Sequence, residues 1–140
     1  HGIYLEMSTA TVVVAVIGAL RTIDVERLMS ALTAVADEAA GLPSAAALTF
    51  PSLPEPGALR VRPREAYFGE TEVVPAAEAV GCVSTDTLAA YPPGIPNLLP
   101  GEEITAETVA FLQAVATSPT GHVRGAYDAG VTQLRVLRTQ

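Results

Sequence analysis

Tyr91-Pro92-Pro93-Gly94-Ile95-Pro96-Asn97-Leu98-Leu99-Pro100-Gly101-Glu102 sets four prolines and two glycines within twelve residues. Each proline fixes φ and removes a backbone donor, so the run suits neither a helix interior nor a central strand. It is not a solvated linker either, because Tyr91, Ile95, Leu98 and Leu99 are apolar. A stiff loop with apolar side chains and a terminal carboxylate has two roles open to it. It is a rigid connection packed on its own domain, or a fixed wall at a surface or cleft.

The segments around this run read as ordinary secondary structure. Downstream, Thr105 caps a helix through Thr117, with Val109, Leu112 and Val115 on one face. Gly121 to Gly130 reads as a loop and Val131 to Leu137 as a closing strand. Upstream, Cys82 to Thr87 reads as a strand, and Ala76 to Val80 as a short helix stopped by Gly81. Glu72 to Val74 is extended up to Pro75, Arg64 to Phe68 makes one helical turn, and Leu59 to Arg62 alternates like an exposed strand. Residues 58–140 therefore form one mixed unit. Residues 42–57 carry Pro43, Pro51, Pro54 and Pro56 with little charge, as a linker does.

Residues 1–41 form a smaller piece. Gly2 to Met7 alternates as a short strand, Ser8-Thr9-Ala10 turns the chain, and Thr11 to Ile17 is continuously apolar, as in a strand covered on both faces. Asp24 stands at an N-cap position, with Glu26 in the first turn. Val25, Leu28, Leu32, Val35, Ala36 and Ala39 follow at helical spacing until Gly41. Two strands and a helix cannot cover both faces of their own sheet, so the rest of a larger α/β domain is expected upstream. The fold class is α+β, in two pieces.

Composition limits the partners. The chain has 140 residues, is 49% hydrophobic and only 16% charged, which implies surface that expects a partner. A net charge of −7 without a basic patch argues against nucleic acid. The longest apolar run, Thr11 to Leu20, is too short to span a bilayer. Cys82 is the single cysteine, which fits a reducing cytoplasm. His1, His122 and Cys82 have no metal-ligand spacing. Ser84 and Ser118 lack a nucleophile context, and no glycine-rich phosphate loop is present. All eight basic residues are arginines, so no lysine Schiff base can form on this chain. Asp128, Tyr127 and Arg124 read as solvated loop residues. Glu102 and Glu103 just precede a helix, where they either face its dipole or point into a cleft to bind a cation.

Four motifs carry a resemblance. Pro63-Arg64-Glu65-Ala66-Tyr67-Phe68, Val74-Pro75, Glu78-Ala79-Val80-Gly81 and the Tyr91 to Glu102 run, in this order and spacing, resemble the C-terminal domain of the prokaryotic-type ornithine/lysine/arginine decarboxylases. Gly2 to Met7, the apolar strand after it and Asp24-Val25-Glu26-Arg27-Leu28 look like the end of the same family's pyridoxal-phosphate fold, which is similar to aspartate aminotransferase. The resemblance implies a homo-oligomeric parent enzyme, with its cofactor on an upstream domain and a basic amino acid as substrate. It implies that Glu102 contacts the distal basic group, with Tyr91 as a second substrate contact. Pro92, Pro93, Gly94, Pro96, Pro100 and Gly101 would hold the loop's shape. Cys82 departs from the family, where Arg or Lys is usual after the Val-Gly pair.

The cofactor lysine, the phosphate-binding loop and the aspartate that pairs with the pyridine nitrogen are absent from these residues. No cofactor is therefore expected on this chain, and no catalytic residue. Three arrangements remain: the C-terminal portion of a decarboxylase, a subunit completed by a separate cofactor-binding chain, or a non-catalytic binding or regulatory module that reuses the domain.

Overall fold

Leu88, Leu98, Ile104, Leu112, Val131 and Val136 are each at most 1% exposed, and they come from five segments distant in sequence. Their convergence defines the core of residues 49–140, one of two compact units in this computed structural model; the other is residues 1–48. The structure describes residues 1–8, 12–20, 22–43, 52–119 and 121–138.

In the first unit, β1 (Met7–Ser8) pairs antiparallel with β2 (Val13–Val14), Met7 facing Val14 and Ser8 facing Val13. The expected strands over 2–7 and 11–17 shrink to these two residues each, and Thr9 and Ala10 of the expected turn lie outside the described residues. Helix α1 (Val25–Ala39) starts where its cap predicts: the Asp24 carboxylate accepts the Arg27 N–H at 2.9 Å. No residue of α1 is buried. The apolar strand expected to be covered on both faces is not covered in this unit, since Val12, Val13, Val16 and Ile17 are 53–73% exposed. The physical reason is size, because one helix and a two-residue ladder offer too little surface to lie across them. Of the expected linker, residues 44–51 lie outside the described residues, and residues 52–57 form no regular element.

The second unit contains α2 (Pro63–Tyr67), β3 (Thr71–Pro75), α3 (Ala76–Ala79), β4 (Leu88–Tyr91), β5 (Ile95–Leu98), α4 (Ala106–Thr117), β6 (His122–Arg124) and β7 (Gln133–Leu137). The fold is mixed α+β with small antiparallel sheets. β3 pairs with β7 from Thr71 opposite Leu137 to Pro75 opposite Gln133. A three-stranded sheet runs β5-β4-β6, so the buried Leu88-Ala89-Ala90 strand is central. Helix α4 supplies Val109, Phe111, Leu112 and Val115 to the core, and Thr105 caps it by accepting the Thr108 N–H at 3.1 Å.

Three expectations shift. The strand expected at 82–87 begins only at Leu88, because Ser84 Oγ bonds both the carbonyl (3.0 Å) and the N–H (3.1 Å) of Asp86 and turns the chain there. Val83 and Ser84 keep single bridges, to Glu103 and Val136. The loop expected over 121–130 contains β6, and the closing strand starts at Gln133 rather than Val131, whose φ is +54°. The proline run is not a loop throughout. Tyr91 ends β4, Pro92-Pro93-Gly94 turn, and Ile95–Leu98 return as β5. Pro96 is tolerated because β5 is an edge strand. Next to it, the Asn97 side-chain oxygen accepts the Ala90 N–H at 2.9 Å, at the irregular step of the β4–β5 ladder.

Candidate functional site

The proline hairpin has two ends with different chemistry. At the first, Gly94 carries φ +92°, and a Cβ there would approach the Tyr91 ring to 3.1 Å. Glycine therefore lets the Pro92-Pro93-Gly94 turn lie close to the half-buried ring. On its other side Tyr91 meets β6. The His122 ring lies 4.9 Å away, centroid to centroid, and the Arg124 guanidinium carbon lies 4.9 Å from the Tyr91 centroid. Tyr91 pairs with His122 and Ala89 with Arg124, which brings both side chains to the Tyr91 face of the sheet.

At the second end, Pro100 and Gly101 are buried. The Gly101 N–H donates to the Ser84 carbonyl at 2.9 Å, and its own carbonyl accepts the Arg60 N–H at 2.8 Å and the Val61 N–H at 3.3 Å. Gly101 has φ +91°, and a Cβ there would strike the Val61 carbonyl, so only glycine fits. Glu102 turns back on this corner. Its Oε2 accepts the Leu99 N–H at 2.9 Å, and its backbone N–H reaches the Leu99 carbonyl at 3.2 Å. One carboxylate oxygen thus holds the turn, and the group stays half-exposed. It does not sit in the first turn of α4, where Glu107 is the acidic residue. Glu103, its neighbour, is paired instead: Oε2 accepts from Arg60 Nε and Nη2, both at 2.6 Å. Tyr91 and Glu102 therefore stand at opposite ends of the hairpin, each with its own neighbours.

Sequence reasoning missed His122 and took Arg124 as solvated. The pattern Gly121-His122-Val123-Arg124-Gly125, polar and apolar in alternation between two glycines, is the signal that marks this short strand. Tyr127 and Asp128 were also expected to be solvated. Instead the Arg135 guanidinium lies 5.3 Å from the Tyr127 ring centre while its Nη1 bonds both Asp86 oxygens at 2.9 and 2.8 Å. Asp128 organises its loop by accepting backbone N–H groups of Thr132, Gln133 and Gly130. The Thr132 N–H is the largest cause holding the Asp128 carboxyl below its ordinary range; burial opposes it, and Gln133 and Gly130 add to it.

No group of three or more His, Cys, Asp or Glu side chains that could hold a metal occurs among the described residues. No helix among them is long and apolar enough to cross a membrane. Cys82 is half-buried, with Sγ 3.5 Å from the Glu78 carbonyl. The first unit has an open groove of about 510 Å³ between Ile3, Val16, Ile17, Ile23 and Leu28. Arg27, the cation among its described lining residues, already donates to the His1 carbonyl at 3.1 Å. Pyridoxal phosphate does not fit these residues. The chain has no lysine to hold it as a Schiff base.

Comparison with known proteins supplies the lineage. The chain is 35% identical over 119 residues to the arginine decarboxylase of Bacillus subtilis, a stretch that covers 84% of the chain and 24% of that enzyme. It is 44% identical over 64 residues to the lysine decarboxylase LdcA of Pseudomonas aeruginosa, across 43% of the chain and 8% of that enzyme. Among solved structures, the constitutive lysine decarboxylase of Escherichia coli matches with a TM-score of 0.48 and 32% identity, over 59% of the chain and 14% of that protein. The chain thus spans about a quarter of the length of the arginine decarboxylases it matches. The family model described as "Orn/Lys/Arg decarboxylase, C-terminal domain" matches residues 46–121, more than half of the chain, and the chain therefore belongs to the Orn/Lys/Arg decarboxylase family.

Proposed function

We propose that this chain is the C-terminal part of a pyridoxal-phosphate-dependent decarboxylase of a basic amino acid: ornithine, lysine or arginine. Residues 1–41 are the end of the cofactor-binding fold, residues 42–57 link, and residues 58–140 are the C-terminal domain. The cofactor sits on an upstream domain or a separate subunit that carries the lysine. The assembly is a cytoplasmic homo-oligomer, and this chain contributes a wall of the substrate entrance and part of the subunit contact. Family membership over residues 46–121 is the observation that carries the reading. The pinned hairpin supports the role of a wall, because a side chain on a rigid element holds its position without further ordering.

The cofactor, when bound to its own domain, supplies the electron sink for loss of carbon dioxide. This chain's residues bind and orient. Glu102 keeps one oxygen on the Leu99 N–H, which fixes the carboxylate, and its charge attracts the distal cation of the substrate. Glu102→Gln retains an acceptor for Leu99 and removes only the charge. In the complete decarboxylase this substitution should lower kcat/KM for the basic amino acid about 10- to 150-fold, which corresponds to about 1.5–3 kcal/mol. An unchanged kcat/KM with an unchanged fold would leave Glu102 as a turn residue alone.

A further inference from the structure

Seven of the eight arginines lie in described positions, and four of them, Arg60, Arg62, Arg135 and Arg138, have carboxylate partners within 4 Å. Arg27 donates to a carbonyl and Arg64 lies over Phe68. Arg124 resembles Arg64 in lying over a ring, and differs from the other six in sharing that ring with a second basic side chain. It lies over Tyr91, it has no carboxylate partner among the described residues although the chain carries 15 acidic groups, and a second potential cation, His122, stands two residues away on the same strand face. Two residues along a strand separate their Cα atoms by about 7 Å. Both side chains rise from one face of the strand and pack on the same ring, so their donors serve one small anion.

The backbone beneath is fixed at both ends. A Cβ on Gly121 would strike Ser118 Oγ and the Val115 carbonyl, and a Cβ on Gly125 would strike the Thr87 carbonyl. Val123, between the two polar residues, packs against the core. His122 and Arg124 are both exposed to solvent. The Tyr91 face orients the guanidinium, whose planar fork suits a carboxylate better than a point charge does.

We propose that His122 and Arg124, seated on Tyr91, form a binding site for the carboxylate of a small molecule. The site lies at the Tyr91 end of the hairpin, away from Glu102, and it takes the opposite charge. It requires no cofactor domain and stands whether or not the decarboxylase assignment holds.

The test is titration of the 140-residue chain with acetate, and separately with inorganic phosphate at matched ionic strength, followed by amide NMR. Acetate should produce saturable shifts centred on Tyr91, His122 and Arg124. Arg124→Ala should abolish them, and Arg124→Lys should weaken binding about tenfold, because an ammonium does not stack as a planar donor on Tyr91. Shifts at Leu112 and Val136 that match the parent chain would show that each variant is folded. Two results would overturn the proposal: shifts that persist in Arg124→Ala, or linear drift across all arginines alike. Tighter binding of phosphate than of acetate would overturn the assignment to a carboxylate.

Discussion

At the scale of single residues, glycines and carboxylates set the corners of the second unit. Gly101 combines φ +91° with contact against the Val61 carbonyl. Gly101→Ala should destabilise the chain by about 1–3 kcal/mol from backbone conformation alone, with displacement of Val61 added. Urea denaturation reads this directly, and an unchanged midpoint would refute the tight corner. Asp128 gives a pH dependence. Its folded pKa lies below the unfolded value of about 3.9, so the unfolded chain binds more protons in the interval between them. This contribution is complete above about pH 4 and disappears as pH falls through the lowered folded value. Asp128→Asn should therefore flatten the loss of stability below pH 4. Parallel acid-unfolding curves for the two proteins would contradict the role of Asp128. The part played by Asp128 was not legible in sequence, because it draws its partners from Gly130, Thr132 and Gln133 only once the loop has closed.

Among the elements, those with a local stop or start signal were legible. Asp24 and Thr105 mark helix starts, Pro75 closes β3, and Gly81 follows α3. The β4–β5 hairpin was hidden because the prolines argue only against a central strand and the run reads as a loop, whereas Pro96 occupies an edge where no ladder N–H is needed. The strand expected before Leu88 was displaced by the Ser84–Asp86 turn, a side-chain effect that hydrophobic periodicity does not carry. At the helix level, Thr105→Ala should cost about 1–2 kcal/mol. It removes the acceptor for the Thr108 N–H and also the donor to the buried Thr108 hydroxyl, 2.9 Å away. Thermal unfolding checks this, and a Tm within error of the parent would count against the cap.

At the scale of the whole molecule, the two units differ in what their own residues can bury. Residues 49–140 enclose a core drawn from both sheets and α4, while α1 buries none of its fifteen residues. A helix of that length is marginal in water without packing. Amide exchange should therefore show α1 exchanging orders of magnitude faster than α4 and β4. Equal protection of α1 and α4 would mean that the first unit is covered in a way its own residues do not explain. The proposal that this chain belongs to a larger enzyme rests on family membership, and this exposed apolar face is surface that such an enzyme can cover.

The most direct measurement is release of carbon dioxide from arginine, lysine and ornithine. The 140-residue chain would be assayed with pyridoxal phosphate alone, and again when joined to, or mixed with, the lysine-bearing upstream domain. The account predicts no release from the chain alone and cofactor-dependent release from one of the three amino acids with the complete protein. Release by the chain alone, or none from any of the three by a complete protein loaded with cofactor, would contradict it.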